Sequence, residues 1–362
     1  MNLLVLTKYG RLGASSRMRS WQYVPWLQRA AIKVTALALI PDEVLQNRYR
    51  RGGYGLGAML RSYGRRVIVM FRRGSFDAVW IEKEAMPWMP LWLERVLLRG
   101  VPYVLDYDDA IFHNYDCHRS RVVRHVFGKR LDGLMAGAAL VIGGNSYLAQ
   151  RAEDAGAPWV EVLPTTIDLA RYPRPTDMLD NDGQVNASVD ERVRIVWIGS
   201  PSTVRYLQLI REPLQALAAR RPFALRVIGG GDVDLPGVDV EVLPWSEETE
   251  VEDIIACDVG VMPLEDSPWE RGKCAYKLIQ YMACGLPVVA SPVGVNTSIV
   301  GRDCGFLAKS SEEWLAALES LLSAPALRRT LGQAGRRKVE EEFCIQVTAP
   351  RLASLLRQVG AK

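Results

Sequence analysis

Residues 270–296 read ERGKCAYKLIQYMACGLPVVASPVGVN, which predicts a loop, a helix, a glycine turn and a strand in succession. Lys273 and Lys277 are four residues apart, so a helix over 273–284 would present both side chains on one face. The free N–H groups of the helix start would add a partial positive charge. This combination predicts a site for a phosphate or a diphosphate.

The same helix continues to a polar residue and then to an apolar strand. Gln280 can offer both a donor and an acceptor to a sugar hydroxyl group. Gly285 and Pro287 end the helix, and LPVVA at 286–290 is apolar enough for a fully buried parallel strand. The alternative is that this segment is only a core helix and strand of an α/β domain.

The run MACGLPVV at 282–289 resembles the donor-binding segment of the family 4 glycosyltransferases, the group 1 glycosyl transferases. In that family two glutamates that flank seven residues precede the run, and here Gly272 and Gln280 stand at their positions. The resemblance implies that Gln280 holds the nucleotide ribose, that position 272 lies at the donor sugar, and that Lys277 and Arg205 neutralise the leaving diphosphate. Lys273 is a further donor-binding candidate.

The length of 362 residues predicts two domains. Strand and helix patterns alternate, stop at a polar segment and start again, which favours two parallel sheets covered by helices. Among them we predict strands at 78–82 and 103–107 and helices at 15–30, 118–136 and 203–220. The resemblance implies the GT-B fold, in which two Rossmann-like domains face each other across a cleft. We predict an acceptor-binding domain at 1–170, a linker at 171–192, a nucleotide-sugar-binding domain at 193–343, and a final helix at 344–362 that packs back on the first domain.

Composition limits the functional classes. Residues 1–163 hold 23 Lys+Arg and 14 Asp+Glu, a net charge of +9, and the remainder holds 22 and 27, a net charge of −5. No run of about 18 uncharged apolar residues predicts a transmembrane helix, and the start lacks the features of a signal peptide. The six cysteines have no CxxC spacing, which favours free thiols in a reducing compartment.

Two further segments of the second domain are candidates for donor binding. The sequence VWIGSPSTVRYL at 196–207 predicts a strand followed by a helix, where Gly199 would allow close approach of a ligand. Ser200 could cap the helix, and Arg205 could reach a phosphate. By resemblance, Trp245 would stack on the base. A plain helix cap, a surface arginine and a core tryptophan are the alternatives.

In the first domain, GRLGASSRMR at 10–19 predicts a glycine-rich turn that enters a helix. The resemblance places Gly13 at the donor phosphate, and Ser15, Ser16 and Arg17 at the acceptor. No GxGxxG motif and no P-loop is present, which argues against enzymes that bind NAD and against NTPases.

The segment DYDDAIFH at 106–113 follows a predicted buried strand. Asp106, Asp108 and Asp109 need partners if they are buried, so we expect them to line the cleft, where one could orient or deprotonate an acceptor hydroxyl group. His113 is an acceptor-side candidate. Glu82 and Glu84 end the preceding strand and are further candidates. No metal or other cofactor is expected, because GT-B enzymes support the leaving diphosphate with side chains and a helix dipole.

Residues 48–74 hold eight arginines, four interleaved aromatic residues and no acid. This pattern predicts contact with an anionic membrane surface or with a lipid diphosphate. Nucleic acid is the rival partner, but no nucleic-acid-binding motif appears. A solvated helix face is the third alternative.

The sequence therefore predicts a glycosyltransferase that moves a sugar from a nucleotide-sugar donor to a glycan or a lipid-linked acceptor, by resemblance with retention of the anomeric configuration. We expect it in the cytoplasm, peripheral on the inner face of the membrane, in the assembly of cell-surface polysaccharide. A nucleotide-sugar epimerase of the same fold and a non-catalytic nucleotide-binding module are the alternatives.

Overall fold

A computed structural model describes residues 1–173 and 192–361. These residues form two compact units. The first contains 1–166, 271–274 and 345–362, and the second contains 167–270 and 275–344. Most of the predicted linker at 171–192 lies outside the described residues.

The first unit contains a six-stranded sheet in which all neighbouring strands are parallel, in the order β2-β1-β3-β4-β5-β6. Its elements in chain order are β1 (Asn2–Tyr9), α1 (Ala14–Arg19), α2 (Val24–Arg29), β2 (Lys33–Ile40), α3 (Asp42–Arg51), α4 (Leu56–Phe71), β3 (Ala78–Glu82), α5 (Leu91–Leu98), β4 (Tyr103–Tyr107), α6 (His113–Asp116), α7 (Arg121–Phe127), α8 (Arg130–Met135), β5 (Leu140–Gly143), α9 (Ser146–Asp154) and β6 (Val160–Val162).

The second unit contains another six-stranded parallel sheet, in the order β12-β11-β10-β7-β8-β9. The remaining elements in chain order are β7 (Val193–Ile198), α10 (Arg211–Ala218), β8 (Phe223–Ile228), β9 (Asp239–Leu243), α11 (Glu250–Ile255), β10 (Val259–Met262), α12 (Pro268–Arg271), α13 (Tyr276–Ala283), β11 (Val288–Ala290), α14 (Asn296–Val300), β12 (Gly305–Leu307), α15 (Ser311–Ser323), α16 (Pro325–Glu342) and α17 (Ile345–Gly360).

The last helix, α17, belongs to the first unit. Its buried face includes Ile345, Leu352 and Leu356, and it shares one apolar core with Leu3 and Trp80 of β1 and β3. Burying such side chains stabilises a fold by about 1.5–3 kcal/mol each. Helix α17 is therefore a structural part of the first unit.

Several predicted long helices are broken where the sequence supplies a breaker. The predicted helix at 15–30 divides into α1, a 3-10 turn and α2, which carries Pro25 in its first turn. The predicted helix at 118–136 is interrupted at Gly128, which ends α7. The segment 204–210 is a 3-10 helix and α10 follows it, with Pro213 near its start. Within the described ranges, no helix is long and apolar enough to cross a bilayer.

Candidate functional site

Carboxylates collect at the carboxyl ends of β3 and β4 in the first unit. Asp106 is the last but one residue of β4 and is 1% exposed. Arg19 Nε donates to Asp106 Oδ1 at 2.8 Å, and Arg19 Nη2 lies 2.7 Å from the same oxygen. Trp80 donates to Asp106 Oδ2 at 3.3 Å. Burial raises the pKa of Asp106 to about 6, although Arg19 acts to lower it.

The expectation that Asp106 lines the cleft is wrong, because this carboxylate is buried and paired inside the first unit. Arg19, its partner, lies on α1 and is itself 1% exposed. Sequence reasoning did not single out Arg19. The signal was present, because a buried carboxylate needs a cation or several donors, but the sequence does not say which of many arginines supplies it.

Asp108 and Asp109 lie in the loop after β4, around the ammonium group of Lys83. Lys83 Nζ lies 2.8 Å from Asp108 Oδ1 and 3.4 Å from Asp109 Oδ2. Ser15 donates to Asp108 Oδ2 at 2.5 Å and accepts from Lys83 Nζ at 2.8 Å. Glu82, 1% exposed, adds a carboxylate to this group, with Oε1 3.4 Å from Ser15 Oγ. We call these five residues, Ser15, Glu82, Lys83, Asp108 and Asp109, the first-unit cluster.

The other predicted acceptor-side residues are not all in the first-unit cluster. Ser16 is fully buried and donates to Glu82 Oε2 at 2.6 Å, so it supports the cluster from inside. Arg17 is 4% exposed and points away, with Nη1 3.5 Å from the carbonyl of Arg11. Gly13 precedes α1, and a Cβ atom there would lie 2.3 Å from Tyr9 Cβ, which explains the glycine by packing.

His113 lies in a separate group on α6. Its Nδ1 is 2.8 Å from Asp116 Oδ1, and its Nε2 is 2.9 Å from the hydroxyl of Tyr147. His113, Asp116 and Cys117 each bring one ligand atom within 4.8 Å of the others, so these side chains could hold a metal. Arg151 lies 3.1 Å from Asp116, and its charge disfavours a cation there. The expectation that no metal is needed stays a prediction.

Residues Arg271–Cys274 pack in the first unit beside the first-unit cluster. Asn145 donates from Nδ2 to the carbonyls of Gly272 at 3.1 Å and Lys273 at 3.0 Å, and its Oδ1 caps α9. Cys274 Sγ donates to the carbonyl of Asp108 at 3.0 Å. A Cβ atom at position 272 would lie 2.5 Å from Ala110 Cβ, so a glutamate has no room there.

The prediction that Lys273 and Lys277 share one helix face is wrong. Helix α13 begins only at Tyr276, and the preceding Ala275 is in the left-handed region with φ 52°. Lys273 therefore lies outside the helix, where its charge acts on Asp109. Gly272 and Lys273, predicted for the donor side in the second domain, belong to the first unit.

In the second unit, Lys277 is in the first turn of α13 with its Nζ 4.3 Å from the ring centroid of Trp197. The same ring fills the space beside Gly199, where a Cβ atom would lie 2.5 Å from Trp197 Cη2. Gly229 has φ +74°, and a Cβ atom there would lie 2.6 Å from the carbonyl oxygen of Gly199. These residues bring a cation and closely packed backbone to the carboxyl ends of β7 and β8.

Trp245, which follows β9, is 38% exposed, and its Nε1 donates to Glu250 at 2.8 Å. A Cβ atom at Gly229 would lie 2.8 Å from Trp245 Cβ, so this ring joins the same group of loops. Ser200 is exposed, and its Oγ lies 2.8 Å from Ser202 Oγ. The predicted stacking of Trp245 on a base stays a prediction.

Arg205 is exposed and stacks on the ring of Tyr206, whose centroid lies 5.1 Å from the guanidinium carbon. The Tyr206 hydroxyl donates to Glu270, which is 4% exposed and also accepts from Ser267. Sequence reasoning missed Glu270 as a candidate, although it begins the segment that decided the fold. It lies two residues before the position where the family pattern places its first glutamate.

Gln280 is 2% exposed, and its Nε2 donates to the hydroxyl of Tyr172 at 3.2 Å. The side chain is thus fixed inside the second unit. Its contact with a ribose stays a prediction.

Comparison with known proteins gives a family match and whole-chain structural matches. Residues 192–324 match the family described as glycosyl transferases group 1. A GDP-mannose-dependent monoacylated alpha-(1-6)-phosphatidylinositol monomannoside mannosyltransferase from Corynebacterium glutamicum is 25% identical over 230 residues, 59% of this chain and 60% of that protein. A D-inositol 3-phosphate glycosyltransferase from Segniliparus rotundus is 24% identical over 191 residues, 49% of this chain and 42% of that protein.

Among solved structures, sucrose-phosphate synthase from Thermosynechococcus elongatus matches with a TM-score of 0.71 and 16% identity, over 100% of this chain and 99% of that one. The Anabaena protein HepE, in complex with UDP-glucose, matches with a TM-score of 0.72 and 16% identity, over 99% of this chain and 100% of that one. These likenesses confirm the predicted GT-B fold, with its two Rossmann-like sheets.

Proposed function

We propose that this chain is a group 1 glycosyl transferase and that it moves a sugar from a nucleotide-sugar donor to a hydroxyl group of an acceptor, which the match of residues 192–324 to that family supports. The second unit binds the donor, and the first unit binds the acceptor. The observation that carries this proposal is the meeting of Lys277, Trp197 and Gly199 at the carboxyl ends of the second sheet. Ligands of parallel α/β sheets bind at that end of the strands.

Charge explains what the donor site would do. A nucleoside diphosphate leaves with negative charge on its phosphate oxygens, and preorganised cations and N–H groups stabilise that charge. Lys277 supplies an ammonium group and the exposed Arg205 a guanidinium group. We propose that both contact the diphosphate and that the transfer retains the anomeric configuration.

The proposed acceptor is a lipid-linked glycan of the cell surface. The Corynebacterium relative is named for a lipid-linked mannoside acceptor, which supports this class. Exposed apolar side chains and exposed arginines along α4 support contact with an anionic membrane. The enzyme would then work at the inner membrane face without crossing it.

Thermal melting against GDP, UDP, ADP and their common sugars tests the donor half of the proposal. A nucleotide at 100 times its dissociation constant should raise the free energy of unfolding by about 2.7 kcal/mol. We expect one base to stabilise the protein and Lys277→Ala to reduce turnover roughly 100-fold. Arg329→Ala, an exposed cation on α16, is the matched control.

Two results would count against the proposal. If no nucleotide stabilised the protein, the proposal of a donor site would fail and only the assignment of the fold would stand. A nucleotide sugar converted without any acceptor, seen by NMR, would favour an epimerase instead.

A further inference from the structure

Three side chains that suit a transition metal lie on the single turn of α6 and at its end. His113, Asp116 and Cys117 are spaced i, i+3 and i+4, which places them on one face of a helix. Each brings one ligand atom within 4.8 Å of the other two. His113 Nδ1 lies 2.8 Å from Asp116 Oδ1 and 3.5 Å from Cys117 Sγ. Ligand atoms of one tetrahedral Zn²⁺ are about 3.3–3.8 Å apart, so small side-chain movements bring all three onto one ion.

The neighbouring helix α9 supports two of these ligands. The Tyr147 hydroxyl lies 2.9 Å from His113 Nε2, and Arg151, one turn later on α9, lies 3.1 Å from Asp116 Oδ2. When a metal takes Nδ1, the proton of a neutral imidazole is on Nε2 and can be donated to Tyr147. Arg151 engages the second oxygen of Asp116 and leaves Oδ1 to a metal. Partners of this kind fix the tautomer and the orientation of metal ligands.

The positive charge of Arg151 works against a cation, but neighbouring groups offset it. Asp132 of α8 binds Arg151 through two contacts, Nε to Oδ1 at 2.8 Å and Nη2 to Oδ2 at 3.2 Å. Arg124 of α7 adds a second positive charge that acts on Cys117. With the Cys117 thiol ionised, three negative charges, those of Asp116, Asp132 and the thiolate, face these two positive ones. The balance then favours a cation.

We infer that His113, Asp116 and Cys117 form a binding site for Zn²⁺ in the first unit. This inference goes beyond the proposed function, because no step of the sugar transfer uses the ion. Thiolate and imidazole ligands select Zn²⁺ over Mg²⁺ and Ca²⁺, which prefer oxygen. Cys117 is exposed, so an ion can enter from solvent and keep a water molecule as its fourth ligand. Helix α6 begins four residues after Asp109, so the ion fixes the end of the loop that carries Asp108 and Asp109.

The first test uses thiol reactivity and needs no variant. Cys117 is exposed, and the other five cysteines, all within the described residues, are buried. In the whole chain, freed of metal by a chelator that is then removed, iodoacetamide should alkylate Cys117 first, as peptide mass spectrometry would show. We expect Zn²⁺ to slow this alkylation roughly 10-fold, because a metal-bound thiolate is a weaker nucleophile. Mg²⁺ at the same concentration should leave the rate unchanged, and an equal rate with and without Zn²⁺ would overturn the site.

The second test identifies the ligands. Co²⁺ bound by a thiolate gives a charge-transfer absorption in the near ultraviolet, and Cys117→Ser should abolish it. Tyr147→Phe keeps the ring but loses the hydroxyl group, and it should weaken Zn²⁺ binding, measured by calorimetry, roughly 10- to 100-fold while the Co²⁺ charge-transfer band remains. His113→Ala should weaken binding further. His125→Ala removes an exposed histidine of the same unit and should bind Zn²⁺ as the wild type does.

Two results of the second test would overturn the inference. One is wild-type affinity for Zn²⁺ in both His113→Ala and Cys117→Ser, and the other is a wild-type Co²⁺ complex without the charge-transfer band. Circular dichroism of each metal-free variant checks its fold, and the alkylation of the wild-type protein decides the question if a variant fails to fold. Nucleotides play no part in these measurements, so failure of the proposed function would leave the metal site to be judged by itself.

Discussion

At Gly272 the structure explains a departure from the family pattern by space. A Cβ atom there would lie 2.5 Å from Ala110 Cβ and 2.7 Å from its backbone nitrogen. We predict that Gly272→Ala lowers the free energy of unfolding by about 1–3 kcal/mol, measured in urea, because backbone must shift.

Gly64→Ala is the matched control for that substitution. Gly64 is exposed within α4, and a Cβ atom would meet nothing within 4 Å. Alanine there should stabilise the protein by roughly 0.5–1 kcal/mol. Equal effects of the two substitutions would show that position 272 is not tightly packed.

Residue types were more predictable than residue partners. The sequence indicated that the carboxylates at the end of β4 and in the loop after it need counterions, and the structure supplies Arg19 and Lys83. Lys83 lies 25 positions before Asp108, and its left-handed backbone is a consequence of packing, so no local pattern points to it. Serine and glycine candidates after β1 were found by their turn, but only Ser15 joins the first-unit cluster.

At the scale of elements, α4 exposes two stripes side by side. Its apolar stripe is exposed by more than half at every position, and Arg61, Arg65 and Arg72 are exposed along the helix and at its end. The apolar stripe consists of Leu56, Leu60, Ile68 and Phe71. Arg66, by contrast, is 1% exposed and donates to the carbonyls of Thr7 and Leu37, so it is not part of the predicted basic surface.

This helix should bind anionic membranes. We predict that the protein cosediments with phosphatidylglycerol vesicles and less with phosphatidylcholine vesicles, because both apolar burial and charge contribute. Leu60→Glu with Ile68→Glu should abolish binding. Val347→Glu, which replaces another exposed apolar residue, should not. Equal loss in that control would locate the binding elsewhere.

Helices α5 and α8 are joined by a buried charge network that should make stability depend on pH. Arg130 contacts both Glu84 and Glu94, and burial raises the pKa of Glu94 to about 7 from an ordinary value of 4.5. A carboxyl group whose folded pKa is raised binds its proton more tightly in the folded state. The contribution of Glu94 to the free energy of unfolding should therefore be greatest below pH 4.5 and be lost as the pH rises to 7.

Glu94→Gln removes this titration. The carbonyl oxygen of the amide can still accept from the N–H groups of Ala85 and Met86, which bond Glu94 Oε1 at 2.8 Å. We expect the decline in unfolding free energy between pH 4.5 and 7 to be smaller than in the wild type by on the order of 1–3 kcal/mol. Parallel curves for the two proteins would contradict this.

Elements were well predicted where the pattern was strong. The strands at 78–82 and 103–107 were predicted with their exact bounds, since buried parallel strands are short apolar runs. Helix starts were less certain. The start of α13 was placed three residues early, because Ala275, in the left-handed region, precedes the first helical residue and the sequence has no glycine there to signal it.

At the scale of the whole molecule, the first unit depends on a helix from the other end of the chain. We predict that Leu352→Ala lowers the unfolding free energy of the first unit by about 2–5 kcal/mol, because Leu352 is fully buried against its core. Hydrogen exchange should increase in β1 and β3 and stay unchanged in β7 and β8. Ser354→Ala, on the exposed face of α17, is the control.

The order of the elements along the chain could be read from the sequence, but the membership of short segments could not. Residues 271–274 lie within the predicted second domain and yet belong to the first unit. What holds them is a set of hydrogen bonds between side chains and backbone, which leaves no periodic trace in the sequence.

The position of α17 also has a consequence for synthesis on the ribosome. Chains emerge from the N-terminus at about 5–20 residues per second. All residues of the second unit have left the ribosome once residue 344 emerges, whereas the first unit still lacks α17, the helix that closes its core. The part of the protein made first should therefore be the last to finish folding. Until α17 packs against it, the apolar face of the first sheet should be accessible to chaperones.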